Sequence, residues 1–108
     1  MANVVHHYLL CYDISDPNRL ARVHRIAMDY GRPLQYSVFL VTTSEKGIEK
    51  IARDLRREID AQQDDIRIYP LEDDAVIRTL GKHPIDMAEI HFIDATDPLR
   101  FEKLETDV

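Results

Sequence analysis

The stretch HHYLLCYDISDPNRLARVHRIAMDYG, residues His6 to Gly31, joins a strand to a helix and ends the strand on a charge. The run from Tyr8 to Tyr12 is apolar on both faces of an extended chain, which predicts a strand in the middle of a sheet. It stops at a carboxylate, Asp13. Asp16 stands directly before Pro17, so Asp16 is the predicted N-cap, Pro17 opens the helix and Gly31 ends it. Leu20, Val23, Ile26, Ala27 and Tyr30 recur on one helical face, the predicted contact with the sheet.

The downstream segments extend this pattern. RPLQYSVFLVTTS, residues 32–44, alternates Leu34, Tyr36, Val38 and Leu40 with Gln35, Ser37, Phe39 and Val41. That is strand material, either one bent strand or a short hairpin. SEKGIEKIARDLRREIDA, residues 44–61, predicts a second amphipathic helix with Ile48, Ile51, Ala52, Leu55 and Ile59 inward. DDIRIYPL, residues 64–71, predicts a strand that follows an acidic turn, and AVIRTLG, residues 75–81, one more short strand. The expected fold is α+β: a ferredoxin-like βαββαβ plan with an extra C-terminal strand, its two helices on one face of an antiparallel sheet. Residues 1–81 form the expected domain, and 82–108 a tail with a second short apolar run, MAEIHFI. Two helices cover one face of a sheet, so the other face is a candidate dimer surface.

Composition bounds the function. At 108 residues, 44% hydrophobic and 31% charged, the chain fits one globular domain. No apolar run approaches the roughly 20 residues of a membrane helix, so no membrane association is expected. The N-terminus lacks the pattern of a secretory leader. The single Cys11 excludes an internal disulfide, and a reducing cytoplasm is the expected setting. The net charge of −6 is uneven: residues 1–57 carry +3 and residues 58–108 carry −9. A local basic face on an acidic protein follows, and any binding through it should weaken with salt.

Few residues suggest chemistry. His6, His7, His24, His83 and His91 lack metal-ligand spacing, and three glycines provide no phosphate-binding loop. With Asp16 taking the cap, Asp13 has no structural duty. Magnesium accepts one or two protein carboxylates and keeps waters and phosphate oxygens as its other ligands. A two-fold dimer that sets Asp13 beside its own copy would supply two. Arg19, Arg22 and Arg25 step along the first helix as a drifting stripe. Arg19, at the helix start, is either a salt bridge to Asp13 or Asp16, or a phosphate clamp. Arg22 and Arg25 read first as a solvated flank and second as phosphate contacts. Arg32, Lys50, Arg53, Arg56 and Arg57 extend the positive half.

Tyr12-Asp13-Ile14 ending the first strand, RLARVHR in the first helix, Gly31, QYSVF and DDIRIYPL occur in that order, between about Tyr8 and Gly81. In these pieces the chain resembles the small CRISPR-associated endoribonuclease family, the lesser of the two universal spacer-acquisition proteins. The resemblance implies a homodimer whose two Asp13 residues face each other and share Mg²⁺. It implies nucleic-acid roles for Arg19 and Arg22, nucleic-acid contact near the dimer cleft for Tyr12, Ser37 and Phe39, and addition of AVIRTLG to the partner subunit's sheet. Leu40 departs from the acidic residue often found after SVF. The tail is longer and more acidic than the family needs.

Two readings of the dimer follow. In one it holds nucleic acid, duplex DNA or single-stranded RNA, for an integrase partner during spacer acquisition in antiviral defence. In the other it cleaves phosphodiesters with Mg²⁺, Asp13 holding the metal and Arg19 stabilising developing charge. The alternative without nucleic acid is a ferredoxin-like ligand-binding or assembly domain.

Overall fold

The computed structural model describes residues 4–80 and 100–103. The elements run β1 (Val5–Asp13), α1 (Pro17–Tyr30), β2 (Gly31–Gln35), β3 (Val38–Ser44), α2 (Glu45–Arg56), β4 (Asp65–Pro70), β5 (Val76–Thr79) and β6 (Arg100–Lys103). The first four strands form an antiparallel sheet in the order β2-β3-β1-β4. β1 is central, as its two apolar faces require. With both helices over one face, this is the expected ferredoxin-like arrangement.

Register sorts the core into two faces. Leu10 pairs with Phe39 and Tyr8 with Val41, while Leu9 pairs with Leu40 and Cys11 with Val38. Tyr8, Leu10, Tyr12, Phe39 and Val41 therefore turn to the helices, where they meet Val23 and Ala27 of α1 and Ile48, Ile51 and Leu55 of α2. Leu34 and Leu40 lie on the other face, against Leu9, Val38, Leu71, Ala75 and Ile77.

Both helix starts are capped by side chains. The Asp16 carboxylate accepts from Arg19 N–H at 2.9 Å, and Ser44 Oγ accepts from Gly47 N–H at 3.1 Å. Gly31 ends α1 and begins β2 without a loop. Its backbone is extended, and the glycine is required by contact: a Cβ there would meet Leu40 O at 2.9 Å and Val41 Cγ2 at 3.0 Å.

Residues 32–44 form a hairpin, with Tyr36 and Ser37 at the turn. The β2–β3 register shifts between Pro33 and Gln35. Proline has no N–H to give the ladder, so the irregularity sits beside it on an edge strand. The turn also breaks the alternation: Tyr36, expected on the Leu34 side, is 86% exposed. Tyr30 departs from its expected core position too. Its hydroxyl donates to Asp54 and accepts from Lys50 Nζ, which draws the ring to the polar flank of α2. α2 stops at Arg56, so Ile59 reaches the core from the following turn, and Ala52 is half-buried.

The extra strand is present but lies outside the main sheet. β5 pairs in parallel with β6, Val76 opposite Arg100 and Thr79 opposite Lys103. Of the expected tail, β6 is the described part, and MAEIHFI lies outside the described residues. Among the described residues no helix is long and apolar enough to cross a membrane.

Candidate functional site: a strand-end carboxylate on a braced loop

Asp13 is the last residue of β1, and it pairs across the ladder with Asp65, the first residue of β4. Its side chain is exposed and has no hydrogen-bond or ion-pair partner among the described residues. Asp65 is held by Arg67 at 2.9 Å, so the two facing carboxylates are not equivalent. Just past this pair the chains diverge: Ile14 turns into the helix-side core and Ser15 leads to the α1 cap.

The divergence is closed by Asp64. Its side chain has no exposed surface, and it accepts from Ser15 N–H (3.1 Å), Ser15 Oγ (3.3 Å), Arg19 Nε (2.8 Å), Arg19 Nη2 (3.2 Å) and Asp60 N–H (2.8 Å). A buried carboxylate survives only when its lone pairs are filled, and here a bidentate arginine supplies two of the five bonds and the balancing charge. The Arg19 guanidinium, followed by the Asp60 and Ser15 amides, outweighs burial and holds the Asp64 carboxyl well below the usual carboxylate range. Arg19 therefore has a salt bridge, but to Asp64 and not to Asp13 or Asp16. A second Arg19 contact, Nη2 to Ser15 Oγ at 3.2 Å, ties the guanidinium to the same loop.

The other predicted residues separate into surface and core. Arg22 is half-exposed and pairs with Glu58 at 2.8 Å. Arg25 is exposed and has no ion-pair partner among the described residues. Ser37 lies in the hairpin turn, and its carbonyl accepts from Tyr12 N–H at 3.2 Å, linking the turn to the end of β1. Tyr12 is 5% exposed and Phe39 0%. They stack with centroids 6.1 Å apart, Tyr12 Oη bonds His24 Nδ1 at 2.8 Å, and His24 meets Phe39 edge-on at 5.6 Å. Burial pushes the Tyr12 hydroxyl up. In this subunit Phe39 has no exposed surface and Tyr12 almost none. Both support the strand that ends in Asp13.

Asp64 is the member of this site that sequence reasoning missed. Its only local signal is an acidic residue before a strand. Its partners Ser15 and Arg19 lie 49 and 45 positions away.

The fit to magnesium is partial within one chain. No group of three or more His, Cys, Asp or Glu side chains suited to a metal ion occurs among the described residues. Asp13 nevertheless offers an exposed oxygen donor with its lone pairs free. That suits a hard cation which keeps most of its waters.

A family model described as CRISPR associated protein Cas2 matches residues 6–78. Over 75 residues the chain is 40% identical to CRISPR-associated endoribonuclease Cas2 1 of Nitrosomonas europaea, covering 69% of this chain and 71% of that one. Among solved structures it is similar to Streptococcus pyogenes Cas2 at pH 6.5, with TM-score 0.57 and 32% identity over 61% of this chain and 86% of that one. It is also similar to a hypothetical protein from Thermus thermophilus, with TM-score 0.69 and 33% identity over 76% of this chain and 98% of that one.

Proposed function

The chain belongs to the CRISPR-associated Cas2 family, and on that premise we propose that it works in the cytoplasm as a homodimer in CRISPR adaptation, holding nucleic acid for an integrase partner. Phosphodiester hydrolysis dependent on Mg²⁺ is a second activity of the same dimer. The observation that carries the reading is Asp13: an exposed carboxylate without a partner among the described residues, at the end of the central strand and mounted on a braced loop. The fold uses Asp16, Asp64 and Asp65 structurally and leaves this one unspent.

Duplex binding falls to the helix flanks. Arg25 on α1, and Arg53 and Arg56 on α2, are exposed and give phosphate contacts that position the duplex without reading its sequence. Arg22 can join them at the cost of its exposed pair with Glu58, a weak interaction in water.

For cleavage, the Asp13 carboxylates of the two subunits would together hold one shared Mg²⁺. Such an ion supplies charge neutralisation at a phosphate and a bound water of lowered pKa. The side chains bring ligand oxygens and a fixed position, with Tyr12 and Phe39 packed behind the strand end.

The test is a paired assay on purified protein. Single-stranded RNA and duplex DNA are incubated with Mg²⁺, with chelator, and with Asp13→Asn. Spacer integration by the partner is measured on the same set and on Arg25→Glu/Arg53→Glu. Expected are cleavage lost with chelator and in Asp13→Asn, and integration lost in the arginine variant. Cleavage unchanged in Asp13→Asn rejects the hydrolytic activity. Failure to bind any nucleic acid at low salt rejects the whole reading in favour of a ligand-binding or assembly domain.

A further inference from the structure

We propose that Arg19 and Asp64 form a positioning device for Asp13, so that Arg19 serves metal binding through Asp64 and not as a phosphate clamp. The inference deepens the functional reading above, and it rests on that reading for the role of Asp13.

The geometry has three parts. The β1–β4 ladder fixes the Asp13 backbone on one side, through Tyr12 opposite Ile66 and Asp13 opposite Asp65. Two residues later the Asp64 carboxylate takes both the N–H and the hydroxyl of Ser15. Asp64 is itself anchored. Its N–H donates to Asp60 O at 2.8 Å while its carboxylate accepts Asp60 N–H, a reciprocal pair that closes the turn before β4. Asp13 thus stands between a strand ladder and a bracket whose central acceptor is fully enclosed.

Arg19 completes the bracket. Without it the enclosed carboxylate would lose its charge partner and two of its five hydrogen bonds. A guanidinium fixed in this way has little freedom to follow a moving phosphate. A ligand that contributes one carboxylate per chain gains most from being held, because a metal site tolerates only small displacements of its oxygens.

The two roles for Arg19 predict opposite outcomes for Asp64→Asn. If Arg19 acts on phosphate, loss of the Asp64 charge frees it and does no harm to metal binding. If it acts through Asp64, the two substitutions are equivalent. The experiment titrates Mn²⁺ alone, without nucleic acid, into the full-length parent, Arg19→Ala, Asp64→Asn and the double variant. Hydrogen exchange of the Ser15 amide is followed on the same samples, with fold and dimerisation checked by circular dichroism and light scattering. Expected is a weakening of Mn²⁺ affinity of about tenfold in each single variant, the loss typical when a residue supporting a metal ligand is removed. The double variant should be no worse than either single, and Ser15 exchange should quicken in all three. Arg19→Lys, which keeps the charge but not the bidentate fork, should fall between parent and Arg19→Ala.

A folded Asp64→Asn protein that binds Mn²⁺ within twofold of the parent overturns the proposal, as does additive loss in the double variant. Should Asp64→Asn fail to fold, Ser15→Ala removes only the hydroxyl links. It must weaken Mn²⁺ binding in the same direction, and no change overturns the proposal. A parent that shows no Asp13-dependent Mn²⁺ binding rejects the Mg²⁺-dependent cleavage of the functional reading and the metal role with it. The Ser15 exchange rates then separately establish whether the bracket holds the loop.

Discussion

Asp13 and Asp65 face each other as the last register pair of the β1–β4 ladder, two carboxylates directly across an antiparallel sheet. Like charges in this relation are destabilising. Arg67 relieves Asp65 only. The pairing therefore predicts a small cost at this strand end when no metal is bound.

Removing that repulsion should stabilise the metal-free protein. Asp13→Asn is expected to raise the melting temperature in chelator by about 2 °C, from the usual size of such cross-strand terms. The gain should shrink when Mg²⁺ is added, because the ion stabilises the parent and not the variant. A melting temperature lowered by Asp13→Asn in chelator would contradict this account of the strand end.

Acid should undo the Asp64 bracket. Its folded-state carboxyl is held below its unfolded value, chiefly by Arg19. The folded protein therefore binds fewer protons between the two values. The stabilisation is complete above the unfolded pKa of about 4 and is lost as pH falls toward the folded value. Denaturant titrations from pH 7 down to pH 2 should show this loss in the parent. Asp64→Asn should be less stable at pH 7 and show a flatter acid limb. Parallel curves would reject the bracket as a source of stability.

Phe39 should behave as core. Phe39→Ala is expected to cost about 3–5 kcal/mol, the usual penalty for emptying a fully buried aromatic site. Phe39→Leu should cost about 1 kcal/mol and leave nucleic-acid affinity within twofold of the parent. Loss of binding by a well-folded Phe39→Leu would return Phe39 to the interface.

The helix flank should act through charge. Arg25→Ala is expected to leave the melting temperature unchanged, weaken duplex binding equally across sequences, and reduce the salt slope by about one for each subunit that contacts the duplex. A sequence-dependent loss, or an unaltered salt slope, would remove Arg25 from the phosphate contacts.

What could be read from residue order was whatever depends on near neighbours. The Asp16 cap, Pro17 in the first turn, the stop at Gly31 and the central position of β1 all rest on local pattern, and all are present. Residue order does not decide between a bent strand and a hairpin, because the shift beside Pro33 and the exposed turn at Tyr36 interrupt a regular alternation. The missed features are long-range. Arg19 finds Asp64 and not the nearer Asp16, because β4 runs alongside β1 and brings residue 64 to the loop. The β5–β6 pair joins segments more than 20 positions apart, which no local periodicity announces. Asp13 was legible for the opposite reason: it has no partner among the described residues.

The central claim is that two chains share one ion through their Asp13 carboxylates, and the stoichiometry of Mn²⁺ binding tests it most directly. Titration followed by electron paramagnetic resonance, with the mass of the assembly measured by light scattering, should give one tight Mn²⁺ per two chains and none in Asp13→Asn. One ion per chain, or binding that persists in Asp13→Asn, would contradict it.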